Sequence, residues 1–262
     1  MGASRQPQRA KSGNGRPQRD EGIVRLFGVH AVEAALMNLD RKIDRLLMTE
    51  NAENRLSEVL SDRQVAPERV LPRALDRILG PDTVHQGVML ETQPLDEPAL
   101  EEIAQHAETN GPLIVLDHVT DPHNVGAVLR SGAVFGAAGL VMTRRHSPPL
   151  DGALAKSASG ALEHVPVVLV QNLSRALVEL KDLNFAIVGL DETGELIDDE
   201  PLTGRVALVL GAEGKGLREL TRTTCDRLCR IATPGPITSL NVSNAAAVAL
   251  HLAAARRRKS QA

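Results

Sequence analysis

From position 113 onward, short apolar runs alternate with stretches of helical periodicity, and this alternation restricts the fold more than any other feature. Strands are expected at 113–116, 139–142, 167–170, 185–190, 206–210 and 228–231. Helices are expected between them at 124–136, 150–160, 172–182 and 217–224, with a long final helix at 241–257. Strand–helix alternation of this kind predicts an α/β fold: a mostly parallel sheet covered by helices on both faces. In such sheets ligands bind beyond the carboxyl ends of the strands, so the loops there should carry any chemistry.

The preceding segment reads as a smaller α/β unit. Val29, Val32, Leu36 and Leu39 recur at helical spacing, and 43–48 follows as a strand. A second helix is marked by Leu56, Val59 and Leu60, then come a short strand at 70–72, a helix at 73–79 and a strand at 84–91. The expected organisation is a disordered basic tail at 1–22, a small domain at 23–92 and a linker at 93–111. The main domain follows at 112–258 and a short tail at 259–262. The linker is suggested by prolines and an acidic helical stretch.

Hydrophobic residues make up 42% of the chain and charged residues 24%, a globular balance. With no Trp, no Tyr and only Phe27, Phe135 and Phe185, the core must be aliphatic, and base stacking on aromatic platforms is disfavoured. The net charge is -3, yet Arg5, Arg9, Lys11, Arg16, Arg19 and Arg25 crowd the start and Arg256 to Lys259 the end. Such ends either touch phosphates or merely solubilise. Cys225 and Cys229, four apart, would share a face if helical, but further metal ligands at suitable spacing are lacking. They read as idle thiols of a reducing, cytoplasmic protein. No run of about 18 apolar residues suggests a membrane span.

Three strand-end loops have unusual composition. The first, Asp121-Pro122-His123-Asn124, is a turn ending in a good N-cap residue, Asn124, with Arg130 six residues on. Taken alone it is an ordinary capped helix with a surface arginine. The second, Gly211-Ala212-Glu213-Gly214-Lys215-Gly216, allows backbone amides to approach a ligand. It matches neither the dinucleotide fingerprint nor the phosphate-binding loop, which argues against a nucleotide-dependent oxidoreductase. The third, 232–244, contains the rigid Pro234-Gly235-Pro236 bend. It also has more small polar groups (Ser239, Asn241, Ser243, Asn244) than one helix cap needs.

Together and in this order the loops resemble the SpoU (TrmH-like) family of the SPOUT methyltransferase superfamily. The stretches that carry the resemblance are DPHNVGAVLRS at 121–131, LVLGAEGKGL at 208–217 and IATPGPITSLNVSNAAAVAL at 231–250. KSASGALEHVP at 156–166 also looks like the family, and FGVHAVEAAL at 27–36 resembles its small RNA-binding domain. The resemblance implies a C-terminal α/β trefoil-knot domain preceded by an α/β RNA-binding domain, working as a homodimer. The implied reaction is methylation of a ribose 2'-hydroxyl from S-adenosylmethionine, with a guanosine of 23S ribosomal RNA as substrate. Transfer RNA, or a non-catalytic RNA-binding role, are the alternatives.

Carried over by position, the resemblance makes Arg130 the catalytic arginine, with Asn124, Glu213, Ser239 and Asn241 around it. It assigns the methyl donor to Leu190, Gly211, Ala212, Ile231, Pro236 and Leu240. The residues around Leu190, and the stiff Pro236, depart from the commoner pattern. An arginine is a poor general base because its pKa exceeds about 12, so Arg130 is expected to stabilise developing alkoxide charge or grip a phosphate. Glu213 would hold Asn124 or a ribose hydroxyl, or else cap the following helix.

Overall fold

The computed structural model describes residues 22–260. The basic stretch expected as a disordered tail at 1–22 lies, but for Gly22, outside the described residues. Two sheets organise the chain. The first is formed by β1 (Val24–Phe27), β2 (Ile43–Met48), β3 (Glu68–Arg69) and β4 (Val88–Thr92), in the order β1-β4-β2-β3. Four helices pack with it: α1 (Val29–Met37), α2 (Glu50–Arg55), α3 (Ser57–Arg63) and α4 (Pro72–Leu79). Strand β1 was not anticipated, because four residues are too few for alternation to register. Helix α1 stops short of Leu39, which is 78% exposed rather than part of the apolar face.

The expected linker at 93–111 is mostly not a linker. Helix α5 (Leu100–Asn110) occupies it, and Leu100, Ile103, Ala104 and Ala107 are buried against the second sheet. Along the chain, only the residues between β4 and α5 lead from one sheet's elements to the other's.

The second sheet is six-stranded and wholly parallel. Its strands are β5 (Leu113–Asp117), β6 (Gly139–Thr143), β7 (Val167–Val170), β8 (Ala186–Leu196), β9 (Val206–Gly211) and β10 (Arg227–Arg230), in the order β10-β8-β9-β5-β6-β7. Successive strand side chains point to opposite faces. Ile114 and Leu116 accordingly join one core with α6 (Pro122–Phe135), α7 (Gly152–Ala158) and α10 (Val242–Ser260). Leu113 and Val115 join the other with α5 and α8 (Leu173–Asp182). The short α9 (Glu219–Thr224) precedes β10.

Strand β8 holds an irregularity with consequences for the site. Its pairing with β10 jumps from Leu228↔Gly189 to Cys229↔Glu195. Residues 190–194 therefore leave the sheet as a bulge. A Cβ on Gly194 would collide with the backbone of Leu228 and Cys229, so glycine permits the close return.

Helix α10 runs to Ser260, so the tail expected from 259 begins no earlier than 261. Arg256, counted among the basic end charges, is committed to the carbonyls of Ile197, Asp198 and Glu200. The two cysteines share no helix: Cys225 closes α9 and Cys229 lies in β10. Among the described residues no helix is long and apolar enough to cross a membrane.

The two sheets are not independent beads. The core around β1 and α1 is continuous with that around α6 and α7. Phe27 packs so closely on Gly152 that a side chain there would overlap its ring. Beside this contact lies a buried ion pair. Arg41 Nη2 meets Glu163 Oε1 at 2.9 Å with both side chains 2% exposed. Arg41 Nη1 also donates to the Gln93 carbonyl, and Asn38 Nδ2 donates to Glu163 Oε2 at 2.7 Å. Each nitrogen of the guanidinium and each oxygen of the carboxylate thus has a partner, as a buried ion pair requires.

Candidate active site

The carboxyl ends of β8, β9 and β10, with the loops that follow, enclose a cavity of about 910 Å³. Small-molecule sites span about 300–1,000 Å³. The β8 bulge forms one wall through Leu190, Asp191, Glu192 and Thr193. The glycine loop forms another, and the stretch from Ile231 to Leu240 a third.

The glycine loop folds back on itself. Gly216 N–H donates to the Ala212 carbonyl at 2.8 Å, and Gly214 and Gly216 adopt φ of 75° and 64°. These left-handed values favour glycine. A Cβ on Gly211 would strike the backbone of Gly216 and Leu217. The loop therefore presents main chain to the cavity.

Of the donor-contact residues expected from the sequence, Leu190, Gly211, Ala212, Ile231 and Leu240 line the cavity, and Pro236 does not. The Pro234–Pro236 bend carries Pro236 out to solvent. Glu213 and Ser239 line the same cavity.

At its rim the three loops converge. Asn124 Nδ2 donates to Glu213 Oε1 at 3.0 Å, Asn241 Nδ2 donates to Asn124 Oδ1 at 3.0 Å, and the same Asn241 amide also reaches Glu213 Oε1. Asn124 is free for this role because it does not cap α6, contrary to expectation. Asp121 caps the helix instead, accepting from His123 N–H at 3.0 Å, and Pro122 supplies the first helical position. Asn241, not Ser239, caps α10: its Oδ1 accepts from the Ser243 N–H at 2.8 Å and the Ser243 hydroxyl at 2.5 Å. Glu213 lies six positions before α9 and binds the two asparagines rather than capping it.

Arg130 sits on the exposed side of α6. Its Nη1 lies 3.5 Å from Ser159 Oγ, and among the described residues it makes no ion pair. Its charge is thus uncommitted, while Val125, Val128 and Leu129 are buried beneath it.

Other groups escaped the sequence reading. Asp117, fully buried at the end of β5, accepts from Arg218 Nε at 2.6 Å and Arg218 N–H at 2.9 Å. It ties the first loop to the far end of the glycine loop. A charged residue closing an otherwise apolar buried run was the available signal. Asp191 accepts from the Thr193 hydroxyl and N–H and faces Arg222 Nε at 3.4 Å. Burial raises its pKa, but the two Thr193 hydrogen bonds and the Arg222 charge outweigh that and hold the carboxyl below its usual value. A carboxylate with an arginine now stands in the cavity wall. Nothing in the local sequence pairs residues 191 and 222. Among the described residues, no three His, Cys, Asp or Glu side chains group as metal ligands.

Two family models match the chain: SpoU rRNA Methylase family over residues 111–251, and RNA 2'-O ribose methyltransferase substrate binding over 25–98. The chain is 37% identical over 243 residues to the 23S rRNA (guanosine-2'-O-)-methyltransferase RlmB of Pseudomonas putida, covering 90% of this chain and 97% of that protein. It is 39% identical to the same-named enzyme of Ralstonia nicotianae, with 88% and 95% covered. Among solved structures it is similar to the SpoU methyltransferase AviRb from Streptomyces viridochromogenes in complex with the cofactor AdoMet. That likeness has a TM-score of 0.77 at 25% identity, over 91% of each chain.

Proposed function

The chain belongs to the SpoU rRNA methylase family, and we propose that it methylates the ribose 2'-hydroxyl of a guanosine in 23S ribosomal RNA, using S-adenosylmethionine. The observation that carries this reading is the junction of Asn124, Glu213 and Asn241 at the mouth of a glycine-walled cavity. The similarity over nearly the whole chain to enzymes that methylate 23S ribosomal RNA favours ribosomal over transfer RNA.

S-adenosylmethionine supplies an electrophilic sulfonium methyl group and departs as a neutral thioether, so no acid is needed for the leaving group. The cavity fits such a molecule: its size, the main-chain glycine wall, and the apolar Leu190, Ile231 and Leu240 suit a donor held by backbone and van der Waals contacts. Pro236 takes no part. The acceptor hydroxyl must lose its proton as the new O–CH₃ bond forms. Arg130, with its charge uncommitted, stabilises the developing alkoxide or grips an adjacent phosphate, and the proton passes to phosphate or water. Asn124 and Asn241, joined through Glu213, fix the first and third loops so that ribose and methyl group align. Such alignment contributes up to about 7–11 kcal/mol in favourable cases. Ser239 adds a hydroxyl at the cavity wall.

A homodimer completes this reading. On neighbouring α6 and α10, Val134 is 71% and Val248 37% exposed, and Phe135 of α6 meets the His251 ring of α10. This apolar surface begins one turn from Arg130, so a partner seated there would border the active site. A knotted path for the chain near 231–245 is supported by β10 lying at the sheet edge while α10 packs against α6. To get there the chain crosses the ends of β8 and β9. A ribosomal-RNA substrate puts the reaction in the cytoplasm.

The test is to map 2'-O-methyl groups in 23S ribosomal RNA from cells lacking this protein. Loss of one guanosine methylation, restored by the wild-type chain, is expected. An unchanged map would overturn the reading.

A further inference from the structure

The methyltransferase reading leaves one pair of rings at the site unused. His118 directly follows Asp117 at the end of β5, and His146 lies in the loop after β6. Their ring centroids are 4.2 Å apart with planes inclined at 35°. His118 is half-buried and His146 exposed, so the pair presents planar surface to solvent. It is anchored at the active-site edge, because Asp117 holds Arg218, at the far end of the glycine loop.

The surroundings are positive. His118 is pushed below the ordinary imidazole value by burial, then by the charges of Arg218 and His146 and, more weakly, Lys215; Asp117 opposes them without prevailing. His118 is therefore a neutral ring at pH 7, flanked by cations. Lys215 lines the donor cavity, and the Arg218 side chain is 45% exposed.

The chain has no Trp or Tyr, and its three Phe are engaged elsewhere. Phe27 packs on Gly152, Phe135 on His251, and Phe185 is buried. Yet single-stranded RNA is held chiefly by unstacked bases lying on flat side chains, with cations along the backbone. The structure supplies that combination at one place.

We propose that His118 and His146 form a stacking platform for a nucleobase of the RNA next to the reacting ribose, with Lys215 and Arg218 holding the flanking phosphates. This rests on the methyltransferase reading for its substrate class. The left-handed φ of 57° at His118 is tolerated by asparagine, which has no ring to stack.

The test compares wild type with the His118→Asn/His146→Ala double variant and the single His146→Ala variant. The probes are a short fluorescent oligoadenylate and an abasic ribose-phosphate oligomer of equal length and charge. S-adenosylhomocysteine binding and melting temperature report on the fold. The wild type should prefer the oligoadenylate, and the double variant should lose about five-fold or more of its affinity for it while binding the abasic oligomer as before. His146→Phe should retain the preference. An unchanged preference in the variants, or equal losses for both probes, would overturn the platform. Failure of the wild-type chain to restore ribosomal-RNA methylation would instead overturn the methyltransferase reading, and is scored separately.

Discussion

Asn124 and Asn241, 117 residues apart, are joined side chain to side chain by a 3.0 Å hydrogen bond, and Glu213 Oε1 accepts from both amides. One asparagine thereby does two things: its Oδ1 caps α10 while its Nδ2 ties together the first and third loops. Asn241→Asp separates these roles. The carboxylate still caps α10 and suits the helix N-terminus, but it faces the Glu213 carboxylate with no proton to donate. Melting temperature should change little while methyl transfer falls on the order of a hundredfold. Asn241→Ala should lose both turnover and about 1 kcal/mol of cap stability. Normal turnover in Asn241→Asp would remove the junction from the mechanism.

Arg130 is exposed, so Arg130→Ala should alter stability by less than about 0.5 kcal/mol. Methyl transfer should fall by about 10²–10³, as when a charge-stabilising donor is lost. Arg130→Lys keeps the charge without the planar fork, and should recover only part of the rate. Single-turnover kinetics with saturating donor make the comparison; a lysine variant at full rate excludes bidentate contact.

At Gly211 the methyl group of alanine has nowhere to go, because the backbone of Gly216 and Leu217 occupies the space. Gly211→Ala should open the glycine loop and abolish measurable donor binding in calorimetry. Gly214→Ala meets no atoms within 4 Å but must hold φ near 75°. It should weaken donor binding less.

Removing the Asp117 carboxylate leaves the Arg218 N–H without its acceptor and the guanidinium without its partner. Asp117→Ala should cost about 1.5–3 kcal/mol in urea denaturation, the range for a hydrogen bond to a charged group. Donor affinity should fall too, since Arg218 follows the glycine loop. A stability change below about 0.5 kcal/mol would make the pair incidental.

Burial pushes the Cys225 thiol up to about 12 and the Cys229 thiol up to about 11, from an ordinary 9.0. Both therefore stay protonated in the folded chain where unfolded thiols ionise. A neutral buried acid favours the folded state fully below pH 9, and this contribution declines as pH rises from about 9 towards 12. Thiol-labelling reagents at pH 8 should modify the buried Cys229 only in denaturant and the half-buried Cys225 far more slowly in the native protein than in denaturant. Rapid labelling of the native protein would contradict their burial.

Periodicity and short-range composition exposed the parallel sheet, because runs such as 113–116 are apolar throughout and bounded by polar or turn residues. The loops were visible for the same local reason. Three features were not. The packing of α5 was masked: the prolines before it and its acidic residues made the helical stretch read as a linker, although the buried Leu100, Ile103, Ala104 and Ala107 recur at helical spacing. Asp121 rather than Asn124 caps α6, because Pro122 starts the helix earlier than its apolar face suggests. The pairing of Asp191 with Arg222 depends on a bulge in β8, which has no signature in a window of neighbouring residues. Pro236 was placed by position within a motif, yet the stiff bend aims it at solvent.

The buried Arg41–Glu163 pair and the Phe27–Gly152 contact join the N-terminal sheet firmly to the catalytic half. Under the proposed function the enzyme behaves as a calliper with fixed jaws. One jaw grips the RNA and the other meets the ribose, with a span set by protein packing. The RNA must then bring the right nucleotide to that span by its own fold, so selection among chemically identical guanosines becomes a matter of distance as well as base identity.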